Sequence, residues 1–317
     1  MSDLGPHPAT RLCVVGNVNR DVKALGVPAS AGILADGETT IAGVTETIGG
    51  GGANSACVAA ALGATVRFVG KTGDDALGTQ LGVALRRRGV DARLARDARH
   101  PTGTTVALGF NTGQRHFLSA LPNNRSLEFS DLDLSALEGC DHLLRADVWF
   151  SPAMLEGGNR RLFAEARQRG VPTSLDINFD PEWSGGRAAE IKRRKELLRE
   201  VLPLVDLAHG NVRELCEFAD APDLTTALDR LTVWGVKAVV VHMGARGAGY
   251  YADGRLVQVP PTPAASVVNS TGTGDVLSIC MILLAPRTDL EIGEKLALAN
   301  RVVAAFMEGN LQFIPGL

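Results

Sequence analysis

The 317-residue chain is poor in aromatic residues, with 2 Tyr and 3 Trp, and it has no paired cysteines. Its five Cys (13, 57, 140, 216 and 280) stand singly among apolar residues, which excludes a disulfide framework and reads as reduced core thiols of a cytoplasmic protein. The six His show no His-x-x-x-His pairing, so no metal site built from protein ligands alone is indicated. Basic stripes are missing as well. The 32 Lys and Arg against 35 Asp and Glu give a net charge of −3 and no electrostatic case for nucleic acid. No apolar run is long enough to span a bilayer, and MSDLGPHPAT at the start lacks a basic-then-apolar signal pattern. Three motifs are absent. Gly-x-Gly-x-x-Gly does not follow the first strand, Gly70-Lys71-Thr72 lacks the upstream glycine of a Walker A loop, and there is no Gly-x-Ser-x-Gly. A nicotinamide-dependent dehydrogenase and an elbow-type hydrolase are therefore disfavoured.

What is present is an alternation of short apolar runs with helical patterns. Leu12–Val15, Val66–Gly70, Val148–Phe150, Ser174–Asp176, Leu207–His209 and Ala238–His242 read as strands. Between them lie helical patterns at Asp75–Arg88, Asn159–Gln168, Ala188–Val201 and Leu224–Trp234. Strands separated by helices predict a three-layer α/β/α sandwich with a mainly parallel central sheet. Two stretches stand outside the alternation: Glu38–Thr47, and a hairpin of Thr104–Leu108 with His116–Ala120 around Asn111-Thr112-Gly113-Gln114. They predict a small β lid, drawn from about residues 22–48 and 102–122, on a single unit spanning 1–317.

Four polar or glycine-rich stretches could carry chemistry. Asn19 and Asp21 follow the first strand, at the sheet edge where ligands bind in open parallel folds. Ile48–Ala56 holds four consecutive glycines before an Ala-rich helix, and Asn54 lies in its first turn. Asn211 and Glu214 also fit a plain helix N-terminus, capped and acidic. The fourth stretch is VVNSTGTGDVLSICMILL over 267–284, where Thr271–Gly274 lead into an apolar helix opened by Asp275. Unpaired amides at that helix start suit a phosphate, and a carboxylate beside them suits a base that takes a proton from an attacking hydroxyl. Taken alone, a helix-capping Asp275 is the simpler reading.

Taken together, these strings resemble the ribokinase-like (PfkB-type) carbohydrate and nucleoside kinases, in order and over almost the whole chain. Gly16–Asp21 resembles the first substrate loop and GGGGAN over 49–54 the first signature, which implies that Asn19, Asp21, Gly50, Gly51 and Asn54 hold the sugar. Asn211-Val212-Arg213-Glu214 resembles the Asn-x-x-Glu motif, which implies that Asn211 and Glu214 organise Mg2+ largely through water. His242–Gly247 resembles the loop that meets the nucleotide, implying contacts from His242, Gly244, Arg246 and Gly247. Ser270–Asp275 resembles the second signature, with Gly272, Thr273 and Gly274 in the anion hole and Asp275 as base. The resemblance implies ATP as co-substrate, Mg2+, a small pentose or hexose as acceptor, and a homodimer formed through the lid. A monovalent cation (K+) at Asn269 and Thr271 is weakened, because the family's usual Asp is Asn269 here and a charge is lost. Asp180 stands where ketose and keto-acid sugar kinases with an Asp-x-Asn motif often carry Arg, which weakens a keto-acid substrate. The alternatives are a nucleoside kinase of the same fold and a non-catalytic sugar or nucleoside sensor.

Overall fold

The computed structural model describes residues 10–268 and 271–310. Its larger sheet is ordered β13-β12-β11-β10-β9-β8-β1-β4-β5. Strands β1 (Arg11–Val15), β4 (Thr65–Gly73), β5 (Val90–Asp97), β8 (His142–Arg145), β9 (Thr173–Asp176), β10 (Leu207–Asn211) and β11 (Ala238–His242) are parallel. β12 (Ala248–Ala252) and β13 (Arg255–Val259) close one edge antiparallel.

Successive residues of a strand face opposite sides of a sheet, and the core divides accordingly. Leu12 and Val14 of β1 pack with α1 (Gly51–Ala61), α2 (Ala76–Arg87), α8 (Thr273–Leu284) and α9 (Ile292–Met307). Cys13 and Val15 pack on the other face, with α4 (Asn159–Gln168), α5 (Ala188–Arg199), α6 (Val212–Ala219) and α7 (Leu224–Val233). A one-turn α3 (Pro122–Arg125) follows the lid. The layers are those of an α/β/α sandwich. Among the described residues, no helix is long and apolar enough to cross a membrane.

The second sheet is the lid, ordered β3-β2-β6-β7. β2 (Asn19–Val27) runs antiparallel to β3 (Gly43–Gly49) and parallel to β6 (Thr104–Phe110), and β6 turns back into β7 (Arg115–Ala120). Leu25, Val44, Phe117 and Leu118 leave large apolar side chains exposed on it.

Two local readings change. Residues 148–150 are not a strand; the strand ends at Arg145, and Asp147 turns the chain at φ 55°. The apolar signal there was real, because Val148 and Trp149 are fully buried, but they fill the core from a bend. β2 reads as a polar loop in sequence because Asn19, Asp21 and Lys23, two residues apart, all fall on one face of the strand.

Candidate active site

The first turn of α8 is built by glycine. Gly272 caps the helix at φ 87°, a left-handed conformation that a residue with a Cβ adopts only at a cost, and as a glycine it has no side chain of its own to cap the turn. The Thr273, Gly274 and Asp275 amides stand in the first turn, where a helix leaves its N–H groups without intrahelical partners. Gly274 is glycine for a different reason: a Cβ there would lie 2.9 Å from Nδ1 of His242. Nε2 of His242 is 2.9 Å from Oγ of Ser278, one helical turn on, so the ring is wedged beneath α8. Burial pushes this histidine down to about 4, which keeps it neutral.

Asp275 stands on this turn with its carboxylate on a cavity that is also lined by Asp21, Lys23, Thr47, Asn54 and Gly272. Burial pushes Asp275 up to about 7, and the negative charges of Asp147 and Glu214 push the same way, while the Ser55 hydroxyl opposes them. Such a carboxylate takes up and releases a proton near neutral pH.

The opposite wall comes from β2 and α1. Asn19 is buried and donates through Nδ2 to Oδ1 of Asp21 at 2.7 Å, fixing the direction of that carboxylate. Burial pushes Asp21 up to about 6, against the hydrogen bond from Asn19. The dense glycines allow α1 to start against the β1 loop. At Gly50, φ is 96° and a Cβ would meet the Asn17 carbonyl oxygen at 2.4 Å; at Gly52 it would lie 2.6 Å from Cα of Gly16. The carboxylate of Asp147 accepts hydrogen bonds from the Gly51, Gly52 and Asn17 amides. From the lid tip, Arg115 donates to the hydroxyl of Thr271.

On the far side, at the ends of β10 and β11, Asn211 and Glu214 form a reciprocal cap of α6. The Asn211 amide donates to Oε2 of Glu214 at 2.8 Å, and the Glu214 amide donates to Oδ1 of Asn211 at 2.9 Å. Burial raises Glu214 above the usual carboxylate range. It raises Asp176 further, because Asp275, Glu214 and Asp147 add like charge around it. Asp176 thus lies within electrostatic reach of three other carboxylates. Among the described residues no cluster of three or more His, Cys, Asp or Glu is arranged to hold a metal ion.

A sequence pattern of the pfkB family carbohydrate kinases matches residues 9–278. The chain belongs to this family of ATP-dependent carbohydrate kinases. It is 28% identical over 283 residues to a ribokinase of Arabidopsis thaliana, covering 85% of this chain and 69% of that enzyme. A cytidine kinase of Thermococcus kodakarensis is 32% identical over 106 residues, covering 33% of this chain and 36% of that one. The Arabidopsis thaliana ribokinase solved with ribose and ATP superposes with a TM-score of 0.75 at 23% identity, over 98% of this chain and 96% of that one.

In this carbohydrate kinase the expected residues fall into separate groups. Asp21, Asn54, Thr271, Gly272 and Asp275 share one cavity, and Asn19 holds Asp21 from behind. Gly50 and Gly51 shape the start of α1, with the Gly51 amide already accepted by Asp147. Gly244 and Arg246 lie on a short turn after β11, closed by Gly247 at φ 87°. The ring of His242 points beneath α8 instead of into that turn. Asn269 lies outside the described residues. Asp180 is fully buried and paired with Arg194 at 2.7 Å, a core ion pair away from the cavity. Sequence reading passed over Asp147 and Arg115. Asp147 directly precedes Val148–Phe150, which looked like a strand, and Arg115 gives no local signal that it would reach Thr271, 156 residues away.

Proposed function

We propose that the chain transfers the γ-phosphoryl group of ATP to a primary hydroxyl of a small sugar, a pentose or hexose, as one catalytic unit over 1–317. The observation that carries this reading is Asp275, a carboxylate pushed up to about 7, placed on a glycine-led helix start and facing the cavity that Asn54 and Asp21 line. Asn19, Asp21 and Asn54 orient the sugar, with Gly50 and Gly51 shaping the backbone beside it. Asp275 accepts the hydroxyl proton as the oxygen attacks, and the amides of Gly272, Thr273, Gly274 and Asp275 face the charge that grows on the transferring group.

ATP fits the helix-start site and the turn of Gly244, Arg246 and Gly247, at the same sheet edge as Asn211. Glu214 and Asp176, with Asn211, would hold Mg2+ through water; the ion would neutralise phosphate charge. Thr271 and Asn269 are the residues for a K+ ion, with a charge fewer than the usual Asp supplies. The exposed Leu25, Val44, Phe117 and Leu118 support a homodimer through the lid. The chain acts in the cytoplasm, in keeping with its free thiols.

The match to a cytidine kinase favours one second reading, a nucleoside as acceptor. An ADP-release screen with ATP and Mg2+ over ribose, fructose, other aldoses and ketoses, keto-acid sugars, cytidine and adenosine separates the two. Sugar-dependent release that vanishes in Asp275→Asn supports the first reading. Release only with nucleosides supports the second, and release with no acceptor at all sinks both.

A further inference from the structure

Helix α1 has no cap of its own, because its N-cap position is Gly50, which has no side chain to accept a hydrogen bond. The missing acceptor comes from far away in the chain. Oδ2 of Asp147 accepts from the Gly52 amide at 2.7 Å, and Oδ1 accepts from the Gly51 amide at 3.1 Å. Oδ2 also accepts from the Asn17 amide at 2.9 Å, in the loop that leads into β2. Asp147 is 6% exposed and adopts φ 55°, a strained conformation for a residue with a Cβ. A buried carboxylate in a strained backbone is costly, and it persists only where surrounding contacts compensate.

Those contacts have a direction. Asn17 is two residues before Asn19 and four before Asp21, while Gly51 and Gly52 open the helix that carries Asn54 and Ser55. One carboxylate therefore ties together the two segments that build the wall of the cavity facing Asp275. Arg145, two residues earlier and fully buried, acts on it through its charge, while its Nε donates to Oδ1 of Asn159 at 2.8 Å and its Nη1 to the Val15 carbonyl at 3.3 Å. The groups that face Asp147 electrostatically are Arg145 on β8, Asp21 on β2, Asp176 on β9 and Asp275 on α8.

We propose that Asp147 is a positioning residue for phosphoryl transfer: a remote cap of α1 that locks the β1 loop and the helix start in one register, so that Asn19, Asp21 and Asn54 present the acceptor hydroxyl to Asp275. This rests on the kinase reading above. The clamp acts on the acceptor side of the site, and the nucleotide turn after β11 makes none of its contacts.

Two variants test it from opposite sides. Asp147→Asn keeps the volume, but its amide group opposes the backbone donors; Gly51→Ala keeps the charge and places a Cβ 2.8 Å from Oδ1 of Asp147. Both are expected to raise the acceptor KM by about tenfold or more while the ATP KM stays within about twofold. A general loss of structure would move both constants together, and that result would overturn the proposal. Amide hydrogen exchange at Asn17, Gly51 and Gly52 needs no substrate. It is expected to accelerate in both variants, and exchange at the wild-type rate would show that no clamp exists. Because exchange is independent of turnover, it separates failure of the clamp from failure of the kinase reading. Should Asp147→Asn not fold, Gly51→Ala decides. Failure of both to fold would show that the contact is needed for folding and overturn a role confined to positioning.

Discussion

Gly274 and His242 are in contact across α8 and β11: a Cβ on the glycine would lie 2.9 Å from Nδ1 of the histidine. The ring is held from its other nitrogen by Ser278, so the floor of the helix start is rigid. Gly274→Ala is therefore expected to displace either the ring or the first turn and to cut kcat by about tenfold or more. Trimming the floor should relieve it. The double variant Gly274→Ala/His242→Ala should recover part of the loss, with a coupling of about 0.5–3 kcal/mol in the cycle. Strict additivity would mean that the contact does not matter to turnover.

Asp275→Asn is expected to cut turnover by about 10²–10⁴-fold while leaving acceptor affinity nearly unchanged, since only proton acceptance is removed. Single-turnover kinetics with equilibrium binding of the sugar checks this. A variant that keeps more than about a tenth of the wild-type rate argues against Asp275 as the base.

The acid limb of kcat/KM follows the same group. A base must be deprotonated to act, so activity should fall as pH drops through about 7, where burial and the neighbouring carboxylates place Asp275. Since the charges of Asp147 and Glu214 help raise Asp275, the limb reports an interacting set of carboxylates. A flat profile down to about pH 5 contradicts the shift.

Stability should move the other way. The folded-state value of Asp275 lies above its unfolded value, so the folded state binds this proton more tightly than the unfolded chain. The stabilisation from holding it is complete below the unfolded value of about 4 and is lost as pH rises through about 7. Asp275→Asn removes the ionised, buried carboxylate, so its Tm should exceed wild type by about 2 °C or more near pH 8. The difference should shrink as pH falls toward about 4. An equal Tm at both ends would show that burial costs this group little.

Asp180 and Arg194 supply a structural control. Removing one partner from a buried ion pair strands the other, so Asp180→Ala should cost about 3–5 kcal/mol in urea denaturation. Any protein that remains folded should keep its acceptor KM, because the pair lies away from the cavity.

Where a local rule applies, the sequence was a sufficient guide. Ala238–His242 and Asn159–Gln168 have the bounds read from their apolar periodicity, because burial of one face imposes period 2 or 3.6 on the residues. Asn211 and Glu214 were legible as a cap for the same reason, since a capping box is complete within four residues. β2 was not legible as a strand. Its polar face looks toward a cleft formed by distant α1 and α8, and polarity alone resembles a loop.

By itself, then, the sequence determined the layered α/β architecture and the glycine-led helix start with Asp275 in its first turn, which follow from short-range spacing. Only the tertiary structure decided what surrounds them. Glycines 50 and 52 are required by Asn17 and Gly16, the cap of α1 comes from Asp147 across 96 residues, and a lid arginine reaches Thr271. The shift on Asp275 likewise depends on burial and on two carboxylates, Asp147 and Glu214, brought in from other elements. Burial and Coulomb interaction depend on distance in space, and distance along the chain does not report it.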